Sequence, residues 1–279
     1  MVAVMTMNWR PATAKDAVFL AELASVVSGR DFSADQASVF LRNWDVEIAE
    51  HDAAAVAVHL PTEGRGKGYG AWWVSGGSDR LTEIASRLVQ LASATPGLST
   101  LQVARPADEA VGDPRFELAY PLWTMVHDGT TWPRPRTELP APLRHAQWSD
   151  VVPREFQSAY EQAYRDQRVV EPRDVSTWQR SADVSALAVS PDGRVAGFVL
   201  GFIEDHGAVE LGPIGTVPSW RRRGVSSALL ASVLKRCREL RLGPVTLTVD
   251  GDSPTGAQDI YLRHGFRITE SLVAYQVRL

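Results

Sequence analysis

Residues 212–230 read Gly212-Pro213-Ile214-Gly215-Thr216-Val217-Pro218-Ser219-Trp220-Arg221-Arg222-Arg223-Gly224-Val225-Ser226-Ser227-Ala228-Leu229-Leu230. An apolar strand ends, a short basic loop follows, and a helix opens on a glycine and two serines. The first turn of a helix carries unpaired N–H groups and a partial positive charge. A small residue there lets a phosphate reach the backbone, which is the physical requirement of a diphosphate cradle. Arg221, Arg222 and Arg223 add charge-assisted donors suited to phosphate oxygens; the bland alternative is a solvated charge run. The strand before the loop, residues 208–217, is interrupted by Gly212, Pro213 and Gly215, which predicts a bulge or a ligand lying against the backbone.

Working outward, the helix at 224–240 places Val225, Leu229, Leu230, Val233, Leu234, Cys237 and Leu240 on one face at helical spacing. Upstream, residues 153–166 read as a helix bearing Phe156, Tyr160, Ala163 and Tyr164. Strands at 184–189 and 195–203 flank the turn Ser190-Pro191-Asp192-Gly193. Downstream come a strand at 245–249, a short helix at 255–263, and strands at 266–268 and 272–277. Residues 130–142, with four prolines, read as an interdomain linker, because proline fixes φ and lacks an N–H. Before it the order repeats weakly: a helix from about Lys15, strands at 46–49, 53–59 and 69–74, a helix at 81–92 and a strand at 98–104. The expected domains are therefore 1–129 and 143–279.

With 279 residues, 44% hydrophobic and 22% charged, the chain has the composition of a packed protein of two domains. Net charge is −4, divided as −5 over residues 1–140 and +1 over 141–279, so no nucleic-acid footprint is expected. No apolar run reaches the ~18 residues of a spanning helix, and the N-terminus lacks a basic leader, so no membrane association is expected. The single cysteine, Cys237, excludes an internal disulfide and points to a reducing, cytoplasmic setting.

On these residues the second half resembles the GCN5-related N-acetyltransferase (GNAT) superfamily. Arg221-Arg222-Arg223-Gly224-Val225-Ser226 matches its R/Q-x-x-G-x-G/A signature except that serine closes it. Residues 249–266, with Ser253-Pro254-Thr255-Gly256-Ala257, Tyr261 and Gly265-Phe266, look like the family's N-P-T-G-A…LY…GF segment, serine standing for asparagine. The two-domain pattern resembles tandem GNAT proteins, mycothiol synthase-like enzymes among them. The fold class implied is α/β (α+β): two GNAT-like domains, each a mixed, mostly antiparallel central sheet flanked by helices, with the first degenerate. Its Val74-Ser75-Gly76-Gly77-Ser78-Asp79-Arg80 lacks the signature and sets an acid where a diphosphate would sit. Gly64-Arg65-Gly66-Lys67-Gly68 precedes a strand and not a helix, and reads as a hairpin.

The resemblance implies a direct acetyl transfer from acetyl-CoA to the amine of a small metabolite. Ile214, Gly215 and Thr216 would pair with the pantetheine like an added strand, and an N–H near Ile214 would polarise the thioester carbonyl. Arg221, Arg222, Arg223, Gly224, Val225, Ser226 and Ser227 would hold the diphosphate, with Ser253 also at the cofactor. Glu210 matches the family's catalytic glutamate and Tyr261 its tyrosine acid. Residue by residue, other readings stand beside these. Glu210 alternates with Val209 and Leu211 as an exposed strand residue does. Tyr261 suits a packing aromatic. Glu204, Asp205 and His206 are weaker candidates for the base, His206 and His264 read as surface histidines, and Cys237 reads as core. A competing function is a non-enzymatic acyl-CoA-binding regulatory or scaffold module.

Overall fold

A computed structural model of the chain describes residues 7–28, 31–60, 66–75, 80–107, 109, 111–129, 137–165, 183–204 and 207–279. It divides into two compact units, Met1–Tyr120 with Leu272–Leu279, and Pro121–Ser271. This is not the partition at 129 and 143 expected from the prolines, and residues 130–136 of that segment lie outside the described residues. The physical reason is strand pairing. Residues 122–127 form ladder bonds in the second unit, and Leu272–Arg278 form theirs in the first.

In the first unit, β1 (Arg10–Pro11), β2 (Asp45–Ala49), β3 (Ala54–His59), β4 (Lys67–Val74) and β5 (Thr100–Pro106) lie side by side in that order. β4 and β5 are parallel; the other neighbours are antiparallel. Leu272–Leu279 completes the sheet, pairing antiparallel with β5 from Leu272↔Pro106 to Arg278↔Thr100. Both faces are covered, so β3 is buried on both. Ala54, Val56 and Val58 pack with Ile84, Leu88 and Ala92 of α3 (Leu81–Ala94). Ala55 and Ala57 pack with Leu20 and Leu23 of α1 (Ala17–Ser28) and Ala37 of α2 (Ala34–Asn43). The helix α2 was not expected. It opens on a capping box in which Ser33 Oγ accepts from Gln36 N and Gln36 Oε1 accepts from Ser33 N.

In the second unit the sheet order is β7 (Arg144–Ala146), β8 (Val184–Val189), β9 (Val195–Ile203), β10 (Val209–Thr216), β11 (Val245–Asp250) and then β6 (Glu117–His127), which enters it from Leu122 onward. Only β10 and β11 run parallel. No strand was expected at β6, because Pro121 sits inside it. The ladder with β11 begins just past that proline, at Leu122↔Asp250, so the missing N–H costs no bond there. One face packs on α5 (Val225–Leu240) through Val199, Leu211, Leu247, Leu229 and Cys237. The other packs on α4 (Pro153–Tyr164) through Leu187, Phe198, Leu200, Phe156 and Tyr160. The helix α6 (Ala257–Arg263) leads into β12 (Arg267–Arg278), one continuous strand where two had been expected. Its first residues flank β6, with Thr124 Oγ1 donating to Glu270 Oε2 at 3.1 Å.

Candidate acyl-donor cleft

The cleft begins where β10 leaves β11. The two are paired only from Val209↔Val245 to Leu211↔Leu247, although both continue. On the other side, the β9 pairing shifts register between Leu211 and Ile214, so Gly212 and Pro213 form the bulge expected from the sequence. Bending one strand of a parallel pair opens a wedge between them, and β10 past the bulge has backbone groups without a β11 partner. The wedge is a cleft of about 620 Å³ lined by the bulge, the start of α5 and the Ser253–Tyr261 segment.

At its basic wall Arg222 has φ +61°, and Gly224, the residue capping α5, has φ +85°. Left-handed residues alternating along a turn swing successive N–H groups toward one side, the geometry of an anion nest. A β-carbon on Gly224 would meet nothing within 4 Å. The glycine is needed for its left-handed backbone and for the open space in front of it, not for close packing. Thr216 Oγ1 and Ser226 Oγ are 2.6 Å apart and tie β10 to the first turn of α5.

The three arginines do three different things. Arg221 turns inward: its Nε donates to Thr216 O at 3.2 Å and its Nη2 to Ala163 O at 3.0 Å, so it fastens the loop to β10 and α4. Arg222 is exposed and lines the cleft. Arg223 lies outside the lining, its guanidinium 5.0 Å over the Trp220 ring. Trp220 itself lines the cleft, as do Ile214, Gly215, Thr216, Gly224, Val225, Ser226, Ser227 and Ser253. Gly215 is needed for close packing, since a β-carbon there would lie 2.4 Å from Phe198 Cζ.

Tyr261 is 7% exposed and lines the cleft. Burial pushes its hydroxyl well above the ordinary tyrosine range. Glu210 is elsewhere. It stands on the exposed face of β10 beside Thr246, outside the cleft lining. Thr248, two residues along the same face from Thr246, does line the cleft. Asp205 and His206 lie outside the described residues.

Two groups at the cleft were missed by sequence reasoning. Tyr164, at the end of α4, both accepts from Ile214 N and donates to Ile214 O, each at 3.1 Å. Its hydroxyl thus holds the N–H expected to polarise a thioester, and satisfies the donor and acceptor that an added strand would use. His264 is 3% exposed and not a surface histidine; its ring reaches Ser227 in the first turn of α5. Tyr164 had been read only as one of the apolar or aromatic residues that mark its helix, and nothing in the local pattern distinguishes His264 from an exposed residue.

Among the described residues the corresponding place in the first unit is filled; residues 76–79 of the Val74–Arg80 stretch lie outside them. β4 and β5 also part company, after Gly70↔Val103. Beyond that point Trp72 is 2% exposed, with the Arg105 guanidinium 4.6 Å from its ring centroid. At the start of α3 a β-carbon on Gly112 would lie 2.8 Å from the Leu81 carbonyl carbon and 2.9 Å from Thr82 N. Backbone from the 111–113 segment therefore occupies the helix end where an anion would need to sit.

The profile of the Acetyltransferase (GNAT) family matches residues 145–266, the span that holds the split strands and the nest. Residues 145–266 form a GNAT acetyltransferase domain. The second unit is accordingly an acyltransferase, one that moves an acyl group from acyl-CoA to an acceptor. The GCN5-related N-acetyltransferase from Sphaerobacter thermophilus is similar in structure over 98% of this chain and 96% of its own, with a TM-score of 0.74 and 22% identity. A tandem GNAT protein from the clavulanic acid biosynthesis pathway is similar over 98% of each chain, with a TM-score of 0.66 and 14% identity. A GCN5-related glucosamine N-acetyltransferase region of a fungal multi-domain GH3 beta-N-acetylglucosaminidase is similar over 98% of this chain and 38% of that one, with a TM-score of 0.70 and 13% identity. No curated protein matches the sequence. Among the described residues no helix is long and apolar enough to cross a membrane, and no group of side chains could hold a metal ion.

Proposed function

We propose that the second unit transfers an acetyl group from acetyl-CoA to the amine of a small metabolite. The observation that carries this reading is the nest at Arg222–Gly224, with open space before Gly224 at the end of the cleft that Tyr261 lines. Backbone N–H groups of residues 222–227 and the exposed Arg222 hold the diphosphate. Ile214 N and O pair with the pantetheine arm once the Tyr164 hydroxyl gives them up. Acetyl-CoA supplies a thioester, an acyl group on a good leaving sulfur.

The acceptor comes over the exposed face of β10 and β11, where Glu210 and Thr248 stand. A free alkylamine with pKa near 10 is mostly protonated at neutral pH and must lose a proton to attack. Glu210 receives that proton, through water given its position off the cleft lining. As the C–N bond forms the C–S bond breaks, and Tyr261 faces the departing sulfur. A hydroxyl raised by burial is a weaker acid than a thiol of pKa about 8.5. Tyr261 therefore stabilises the thiolate by donating a hydrogen bond; the acylated nitrogen sheds its second proton to solvent, and solvent protonates the thiolate.

A reducing, cytoplasmic location fits the single buried thiol, Cys237. The competing role, an acyl-CoA-binding regulator, is separated by the same assay. Release of free CoA thiol is followed against a panel of amine metabolites, with Glu210→Gln and Tyr261→Phe as controls. Amine-dependent release lost in both variants supports the transferase. Tight acetyl-CoA binding with no release for any amine refutes it.

A further inference from the structure

His264 joins the end of α6 to the first turn of α5. Its Nδ1 lies 2.8 Å from Ile260 O, and its Nε2 lies 3.2 Å from Ser227 O and 3.1 Å from Ser227 Oγ. A carbonyl oxygen can only accept, so each ring nitrogen faces a group that needs a proton from it. A neutral imidazole has one N–H. If that N–H serves Ile260, the Nε2 lone pair points at the Ser227 carbonyl, and only the Ser227 hydroxyl relieves it by donating. Ser227 then has no proton for the cleft it lines, and its oxygen shows lone pairs toward the diphosphate position. An imidazolium reverses this. Both ring nitrogens donate, and the Ser227 hydroxyl is free to donate outward.

We propose that His264 is a positioning residue for the diphosphate, taking up one proton from solvent as the ligand binds and thereby turning Ser227 into a phosphate donor. This rests on the reading that the cleft takes a CoA diphosphate. The charged groups on the elements packed against the ring are Asp259 and Arg263 on α6, Arg221, Arg222 and Arg223 ahead of α5, and Lys235, Arg236, Arg238 and Glu239 eight or more positions beyond Ser227 on α5; the first turn of α5 carries no acid. The two negative charges of a bound diphosphate favour a cation beside the first turn of α5, so the proton arrives with the ligand.

The test is calorimetry of dephospho-CoA binding to the full chain near neutral pH, in buffers of different ionisation enthalpy. Dephospho-CoA keeps the diphosphate and lacks the phosphomonoester that titrates in this range. The expected result is a buffer-dependent enthalpy equivalent to uptake of up to one proton. H264Q keeps a side-chain N–H for Ser227 without a titrating group; it should bind within about threefold of the parent, since the hydrogen bond is retained, and take up no proton. H264F removes the lone pair that holds the Ser227 proton, so it too should take up no proton on binding, with the Ser227 hydroxyl left free to donate. Binding with no buffer dependence, or a dependence that persists in H264Q, overturns the role of His264 and leaves the cleft's ligand standing. A folded chain that binds no dephospho-CoA overturns both.

Discussion

Gly224→Ala separates what the cradle does for the ligand from what it does for the fold. Gly224 sits at φ +85°, ψ +5°, and a β-carbon there finds open space. The fold should lose only the left-handed penalty of a non-glycine residue, about 1–2 kcal/mol. At about 2–4 °C per kcal/mol for a domain of this size, the melting temperature drops by roughly 2–8 °C. The ligand meets a different cost. The methyl group enters the space before the first N–H groups of α5, and a phosphate oxygen must come within about 2.9 Å of such an N–H to bond it. A methyl carbon holds an oxygen off at about 3.5 Å. Losing one charge-assisted bond at about 1.5–3 kcal/mol weakens CoA by roughly tenfold to a hundredfold. Thermal melts and calorimetric titration with CoA read the two effects separately. Gly224→Asn should restore part of the stability, since asparagine tolerates this backbone, without restoring binding. CoA affinity unchanged in a folded Gly224→Ala protein would refute the cradle; a protein that fails to fold would refute the argument from open space.

Further outcomes follow from other residues. Tyr261→Phe should lower kcat by about a hundredfold, the low end for a group acting on a leaving atom, while the KM for acetyl-CoA stays within about twofold. Because burial raises the Tyr261 hydroxyl, the folded protein holds this proton more tightly than the unfolded chain; stability present below pH 10 falls above it, and alkaline melts of Tyr261→Phe should show a shallower decline. Asp16 is held well below the usual carboxylate range, first by its hydrogen bonds from Arg10, at 2.7 and 3.0 Å. That stability is present above pH 3.8 and lost as pH falls, so Asp16→Asn should be less stable at pH 7 and less acid-sensitive in chemical denaturation. Cys237 is fully buried and its thiol is pushed up to about 11, so thiol reagents should label it only on unfolding. A fragment of residues 143–279 lacks the β6 ladder and the fully buried Met125, and should be recovered aggregated, whereas a simple linker boundary predicts a soluble domain.

The helix capping at Ser33 shows what was legible and overlooked. Ser33-Ala34-Asp35-Gln36 is a capping box written in four consecutive residues, and it marks α2 without any tertiary information. β6 is the opposite case. Pro121 argues against a central strand locally, and only the place where the ladder begins reconciles it. The glycines, too, divide. Gly224 announces itself by standing between a basic loop and an apolar helix, while the need for Gly215 is set by Phe198, seventeen residues away on a neighbouring strand.

By itself the sequence determined the chemistry of the loop: a broken strand, a basic loop and a helix start follow from residues 212–227, because proline and glycine backbone preferences and helix-end N–H groups act over a few residues. The tertiary structure alone decided where long side chains point. Arg221 bends to the Ala163 carbonyl, Tyr164 holds Ile214, His264 reaches Ser227 and Glu210 stays on the open face. Each of these depends on which helix packs over which strand, and the bonded partners are 37 to 58 positions apart. A contact between distant segments is fixed by the packing of whole elements, and no local pattern encodes it.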